Sequence, residues 1–457
     1  MSERPLHVAV VGSGPAGFYT AAHVFASDVA VEVDMIERLP TPWGLVRMGV
    51  APDHPNIKAV SRAFEKIAKN PGFRFFGNVE VGRDVSHDEL AAIYDAVVYT
   101  VGAQADRRLG IDGEDLPGSW PATKFVAWYN GHPDYQDLPF DLSGETAVVI
   151  GNGNVAVDVA RMLALTPDEL GITDTNDHAI EAINNAGVRD IIMLGRRGPA
   201  QAAFTTPELQ ELGELAGADV IVDPADLVLD DASAAALEDD RATARRNVDL
   251  LREYAARTPE GKPRRVHLRF CVSPVAILGD GKVEAIEVVR NTLVVDDRGN
   301  IAAVATEERE TIPCSLVLRS VGYRGQSIAG VPFDDRRGTI ANNDGRVVDA
   351  DGAVVPGVYC AGWIKRGPSG VIGTNKKDAS ETAELLLEDY RAGKLPTREG
   401  GGDELERILL GRNVELIEYE SWEAIDAHER ERGEPFGRPR VKLVTWEQLL
   451  GHVRSSR

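Results

Sequence analysis

The chain has 457 residues, 43% of them hydrophobic and 27% charged, the composition of an ordinary globular protein with room for two or three cores. Its formal net charge of −22 argues against a nucleic-acid partner, because binding phosphate along a duplex needs a concentrated basic face. The only cysteines are Cys271, Cys314 and Cys360, and no pair has the C-x-x-C spacing of a redox dithiol, a zinc ribbon or an iron–sulfur ligand set.

The first element is the apolar strand 6–11, which runs into Gly12-Ser13-Gly14-Pro15-Ala16-Gly17 and then a helical pattern. The apolar stretch is too short for a signal peptide, and no window is long enough for a membrane span. A cytoplasmic protein without membrane insertion is therefore expected. A second strand, 31–36, ends in Glu37 and is followed by 40–55 (PTPWGLVRMGVAPDHP), too rich in Pro and Gly for a helix or a central strand. Residues 95–101 (DAVVYTV) form a buried strand. The strand–glycine–helix pattern then repeats: strand 146–150, Gly151-Asn152-Gly153-Asn154-Val155-Ala156, helix 157–165. Segments 165–188 and 213–260 read as solvated helices and loops.

Strand 190–194 ends in Gly195-Arg196-Arg197-Gly198, and 313–321 is another buried strand. The strand 356–362 leads to 363–375 (WIKRGPSGVIGTN) and a helix over 370–390. Residues 391–403 read as a flexible loop and 404–457 as mostly helical, with Thr445 and Gln448 placed as a capping box. The fold expected is α/β, with two Rossmann-like dinucleotide-binding domains, one inserted into the other. Residues 1–106 and 322–457 form the outer, discontinuous domain and 107–321 the inner one.

The two glycine turns have one physical requirement. The first glycine permits the tight turn, the second lets the backbone approach a pyrophosphate, and the third position must be small for helix–strand packing. The phosphate then rests on the helix N-terminus. Gly12, Gly14, Pro15, Ala16 and Gly17 supply this in the first copy, and Asn152, Gly153, Asn154 and Val155 in the second. Glu37 stands about 20 residues past Gly17, where a carboxylate accepts ribose hydroxyls, so the first fold takes a dinucleotide without a 2′-phosphate. Arg196 and Arg197 stand at the corresponding strand end of the second fold, suited to a 2′-phosphate. The long separation from Gly153 to Arg196 predicts an insertion after the helix. A helix N-terminus near 370–375 would favour an anionic reduced flavin.

Four stretches together carry a resemblance: 40–55, GNGNVAVDVAR at 151–161, GRRGPAQAAFT at 195–205 and GWIKRGPSGVIGTNKKDA at 362–379. The chain resembles the adrenodoxin-reductase-like NADPH–ferredoxin reductases, most of all their actinobacterial members, over nearly its whole length. The resemblance implies a glutathione-reductase-like architecture without a redox dithiol, holding FAD and NADP(H). Ala16, Glu37, Leu45, Val81, Trp363 and the Gly370-Val371-Ile372 turn match FAD contacts. Arg107, residues 152–155, Arg196, Arg197 and Glu208 match NADP contacts, and Gly370 matches a contact to both. His54 and Glu211 match positions discussed as proton carriers. No metal site is implied, and Gly362-Trp363 departs from the Gly-Asp of related disulfide reductases.

The activity this implies is transfer of a hydride from NADPH to FAD, then of single electrons to a ferredoxin-type iron–sulfur protein. A flavin-linked disulfide reductase is excluded by the missing C-x-x-C, while a flavin monooxygenase and a non-catalytic FAD-binding module are the alternatives. An acidic ferredoxin needs a local basic face. On a helix expected around 235–257, Arg241, Arg245 and Arg252 flank an apolar stripe of Leu237, Ala244, Val248 and Ala255, in a region where related reductases use basic residues.

Overall fold

In the computed structural model, which describes residues 4–238, 242–370 and 372–456, the strand Leu6–Val11 lies inside a seven-stranded sheet. Val31–Glu37 pairs with it on one side and Ala96–Tyr99 on the other, both parallel. Phe73–Gly77 and Val354–Cys360 extend the parallel set, and Arg346–Val348 and Asn342–Asn343 add an antiparallel edge. Parallel strands covered on both faces need nearly continuous apolar runs, which is why LHVAVV and AVVY carry no regular polar alternation. Helices Pro15–Phe25 and Ile372–Arg391 pack against each other over this sheet.

A second sheet is parallel throughout, in the order Ser119–Pro121, Leu316–Arg319, Thr146–Ile150, Asp190–Gly195, Arg264–Phe270, Ala218–Val222. Its core includes Phe125, Trp128, Val149 and Met193, each almost fully buried. Between the two sheets the chain crosses twice, and the crossings pair with each other: Ala105–Asp106 lies antiparallel to Tyr323–Arg324. The buried strands expected at 95–101 and 313–321 thus belong one to each sheet, directly before the crossings. Helices Pro167–Gly171 and Asp177–Asn184 are the insertion expected after the second glycine fold.

Several expectations need correction. Residues 213–260 are not all solvated helix and loop, because Ala218–Val222 forms the sheet edge. Its Asp219 accepts the backbone N–H groups of Glu260, Gly261 and Lys262, so an acidic residue here shapes a turn. Residues 173–176 are buried, since the closing segment of the chain lies over them. The basic helix comes as Asp231–Glu238 and Ala242–Ala256, with Arg241 outside the described residues. The loop at 391–403 stops short: helix Gly401–Gly411 begins within it, and a β-carbon at Gly402 would run into the Arg74–Asp34 ion pair.

One element has no counterpart in the sequence reading. Val272–Leu278, Ala285–Val295 and Ile301–Pro313 form a three-stranded antiparallel sheet against the parallel one. The Thr445–Gln448 capping box is present in both directions, at 3.1 and 3.2 Å. No helix among the described residues is long and apolar enough to cross a membrane.

Candidate active site

At the first glycine turn, Gly12 has φ of 104° and its missing β-carbon would stand 2.9 Å from the Thr100 carbonyl. Gly14 instead faces open space, with no heavy atom within 4 Å of a β-carbon built on it. Gly14 is also the N-cap of Pro15–Phe25, so no side chain covers the first-turn N–H groups of that helix. A pyrophosphate fits such an uncovered, glycine-lined helix end. Beside it Glu37 is held in place: Oε2 accepts from the Ser13 N–H at 3.0 Å and the Ser13 hydroxyl at 2.6 Å, and Oε1 from the Leu39 N–H at 3.0 Å. Oε1, with one bond taken, keeps a lone pair for a ribose hydroxyl.

The 40–55 segment is pinned against this turn. Trp43 adopts φ of 84°, uncommon for a bulky residue, with its ring edge-on to buried Trp422 at 4.9 Å. Leu45 is 47% exposed at the start of a short helix, apolar surface that a flavin would cover. Val81 and Ile372 are half-buried. Ala16 lies directly under Gly362, whose β-carbon would sit 2.7 Å from that of Ala16. Trp363 follows, stacked on Tyr323 at 5.9 Å with 16° between the rings and its indole N–H buried without a partner. Gly370 has φ of 79°, and Val371 lies outside the described residues. Arg107 reaches the crossing ribbon, its Nε donating to the Tyr323 carbonyl at 3.3 Å.

The second turn repeats the first. Gly153 is the N-cap of Asn154–Ala164 and also faces open space. The 195–205 loop folds over it: the Asn152 carbonyl accepts the Ala203 N–H at 3.0 Å, and Asn154 Oδ1 accepts the Thr205 N–H at 2.8 Å. Val155 packs half-buried against the second core. Arg196 is exposed and Arg197 half-buried at the end of Asp190–Gly195, where a guanidinium can reach a phosphate in solvent.

The two glycine folds meet at a cluster of charges. His54, at the end of the 40–55 segment, is buried, and its Nε2 lies 2.6 Å from Glu211 Oε2. Arg161 Nη1 sits 2.6 Å from the same His54 nitrogen and also against Glu211, while Nη2 meets Asp53 at 3.1 Å and Asp158 at 3.0 Å. Glu208 lies 3.9 Å from His54. Ligand atoms of His54, Glu208 and Glu211 come within 4.8 Å of one another, and the cation beside them is Arg161.

Burial opposes charge on His54, but the hydrogen bond to Glu211, with Asp158 and Asp53 nearby, outweighs it and raises its pKa. Burial likewise works against the Glu211 carboxylate, and His54 and Arg161 reverse that, holding it below the usual range. Asp158 is pushed up to about 8, chiefly by burial and then by the Glu208 carboxylate. Burial also raises Glu208. The structure thus joins His54 and Glu211, which the sequence separates widely, and adds Asp53, Asp158 and Arg161, which sequence reasoning missed. The available signal was Asp158 and Arg161 one turn apart on a helix that is otherwise apolar and buried from Ala156 onward.

Two glycine-turn folds in one chain, with a largely buried cluster of titratable groups between them and no redox dithiol, define a two-dinucleotide flavoprotein oxidoreductase. The family model for pyridine nucleotide-disulphide oxidoreductases matches residues 6–193. The NADPH-ferredoxin reductase FprA of Mycobacterium leprae is 52% identical over 98% of this chain and 98% of its own length. The mitochondrial NADPH:adrenodoxin oxidoreductase of Arabidopsis thaliana is 42% identical over 98% of this chain and 95% of its own. The solved structure of Mycobacterium tuberculosis FprA in complex with NADPH superposes with a TM-score of 0.93, at 50% identity, covering 99% of this chain and all of that one. The chain belongs to the NADPH–ferredoxin reductase family.

Proposed function

We propose that this protein is an FAD-dependent NADPH–ferredoxin oxidoreductase. The observation that carries the reading is the contrast between the two turns: a carboxylate, Glu37, beside the first and the Arg196–Arg197 pair beside the second. The unit formed by 1–106 and 322–457 holds FAD, and 107–321 holds the nicotinamide nucleotide. When bound, the flavin supplies two-electron acceptance and one-electron release, chemistry that belongs to the cofactor.

The chain's own residues bind and align. The first turn, Glu37, Leu45, Val81, Trp363 and the 370–372 turn hold the flavin nucleotide. Arg107, residues 152–155, Arg196, Arg197 and Glu208 hold NADPH. His54 and Glu211 hold a proton between them, within the charge cluster that joins the two folds. The electron acceptor is a ferredoxin-type iron–sulfur protein, met by the face carrying Arg245 and Arg252, with Arg241 beside them in sequence.

Charge-assisted hydrogen bonds contribute about 1.5–3 kcal/mol each, and tenfold in affinity is about 1.4 kcal/mol. Two arginines on one phosphate therefore give NADPH a preference over NADH of roughly 10² to 10⁴ in kcat/KM, allowing for non-additivity. Arg196→Ala with Arg197→Ala should raise the KM for NADPH strongly and leave NADH nearly unchanged, with little effect on the limiting rate of flavin reduction. Stopped-flow reduction by both nucleotides tests this. A double variant that prefers NADPH as strongly as wild type places the 2′-phosphate site elsewhere.

A further inference from the structure

The loop that carries Arg196 and Arg197 lies beyond the ladder of its own sheet. Strand Asp190–Gly195 makes its last pairing at Gly195↔Phe270, so the carbonyls of the two arginines need other donors. Both donors come from the start and the bulged middle strand of the antiparallel sheet. The Cys271 N–H donates to the Arg197 carbonyl at 3.0 Å. The Asn291 side-chain amide donates to the Arg196 carbonyl at 2.8 Å and to Ser273 Oγ at 2.8 Å, using both of its N–H bonds. The Asn291 backbone N–H then donates to the Cys271 carbonyl at 2.7 Å, closing a ring of three hydrogen bonds at the base of the loop, with the Ser273 bond as a branch.

Two backbone irregularities aim these groups. Pairing of Ala285–Val295 with Ile301–Pro313 shifts register between Val289 and Asn291, and a bulge turns a side chain off its regular face. Cys271 has φ of 56°, a left-handed conformation that a non-glycine residue rarely takes without compensation. Asn291 is only 5% exposed, and both of its amide N–H bonds are taken by protein acceptors, so it has no donor left for nucleotide phosphate. Its chemistry suits the task. A carboxamide donates twice without charge, whereas a leucine leaves the Arg196 carbonyl unpaired, and an aspartate would set an acceptor against it.

We propose that Asn291 is a positioning residue for cofactor choice: with Cys271 and Ser273 it fixes the Arg196–Arg197 backbone so that both guanidiniums converge on the 2′-phosphate of NADPH. This rests on the reading of those arginines as the 2′-phosphate site. The antiparallel sheet, which contributes no residue to either glycine turn, thereby acts as the brace of the specificity loop. Preorganisation of this kind matters because an arginine free to swing loses part of its bidentate advantage to conformational entropy.

The test is calorimetric titration of the FAD-loaded Asn291→Leu variant with 2′,5′-ADP, which carries the 2′-phosphate and no nicotinamide, alongside stopped-flow reduction by NADPH and NADH. The Kd for 2′,5′-ADP should rise about tenfold, and the NADPH/NADH ratio of kcat/KM should fall by a similar factor, as one lost hydrogen bond to the loop implies. An FAD-loaded Asn291→Leu variant that loses rate with both nucleotides equally, leaving the ratio at its wild-type value, overturns the proposal. Should Asn291→Leu fail to hold FAD, Ser273→Ala decides. It releases one side of the amide, and it should lower the ratio by about two- to threefold; a wild-type ratio there overturns the proposal. Wild-type binding of 2′,5′-ADP by Asn291→Leu also overturns it when Arg196→Ala/Arg197→Ala has lost that binding. If the double arginine variant binds as wild type too, the phosphate-site reading itself is what fails.

Discussion

Asp158 stands where burial and the Glu208 carboxylate disfavour its charge, while Arg161 one turn away favours it, and the balance places its pKa at about 8 instead of 3.8. A carboxyl raised on folding contributes stability in full below its unfolded value, and that contribution is lost as pH climbs through the folded one. His54, also raised from 6.5, runs the same way: its contribution is complete below 6.5 and disappears as pH rises through its folded value. Both groups therefore weaken the folded state on the alkaline side. Asp158→Asn removes one of them without changing shape. The melting temperature of Asp158→Asn relative to wild type should rise steadily between about pH 6 and pH 9, the flavin content being matched. Parallel melting curves across that range would mean that Asp158 is ionised throughout and fully compensated by Arg161.

At the scale of elements, the closing segment of the chain ties the two glycine folds together. Lys442, fully buried, donates to the Asn130 carbonyl at 3.0 Å and pairs with Asp174 at 3.1 Å. Lys58 pairs with the same Asp174 at 2.6 Å. Arg438 reaches the carbonyl of Thr173 at 3.0 Å and that of Thr175, and Trp446 donates to Asp134 at 2.7 Å. On the other side Glu429, with no exposed side-chain surface, takes both nitrogens of Arg47 and the Leu443 N–H. Burial lowers the pKa of Lys58 and Lys442, and the Asp174 carboxylate works against that. One carboxylate thus balances two buried ammonium groups. Removing one partner of a buried ionic group typically costs about 3–5 kcal/mol, because the other charge stays behind. Asp174→Ala should lower the melting temperature sharply, and adding Lys442→Met should restore part of the loss. A double variant less stable than Asp174→Ala would mean that Lys442 acts chiefly through Asn130.

For the molecule as a whole, the charge of −22 makes approach of an acidic ferredoxin unfavourable everywhere except at a local basic face. Arg252 is exposed beside Asp249 at 3.5 Å, and Arg245 donates to the Leu237 carbonyl at 2.7 Å. Leu237 and Val248 are buried beneath them, so the arginines sit on a supported surface. Arg245→Glu with Arg252→Glu should raise the ferredoxin KM about tenfold at low ionic strength and much less near 0.5 M salt, where exposed charges are screened within a few ångströms. Reduction of the flavin by NADPH should be unaffected, since neither residue lies in either glycine turn. An unchanged ferredoxin KM at low salt moves the docking face elsewhere.

The sequence by itself determined the two nucleotide folds, because a strand, a glycine turn and an uncapped helix end are local features whose physical requirements are met within some thirty residues. The placement of Glu37 and of the Arg196–Arg197 pair at strand ends was legible for the same reason, since it depends only on where each strand stops. The capping box at Thr445 and Gln448 is equally local. Tertiary structure alone decided what depends on distant partners. His54 and Glu211 meet only because the 40–55 segment packs across to the second fold. Asp174 looked like surface charge until Lys58 and Lys442 were brought to it, and Gly402 looked like loop until Arg74 and Asp34 were seen to need its missing side chain. The antiparallel sheet escaped notice because its apolar stretches, such as 293–295 and 301–305, are short, partly exposed and broken by polar residues. Asn291 shows the difference most directly: in sequence it is one polar residue within a strand, and only a bulge and a neighbouring loop give its amide two partners.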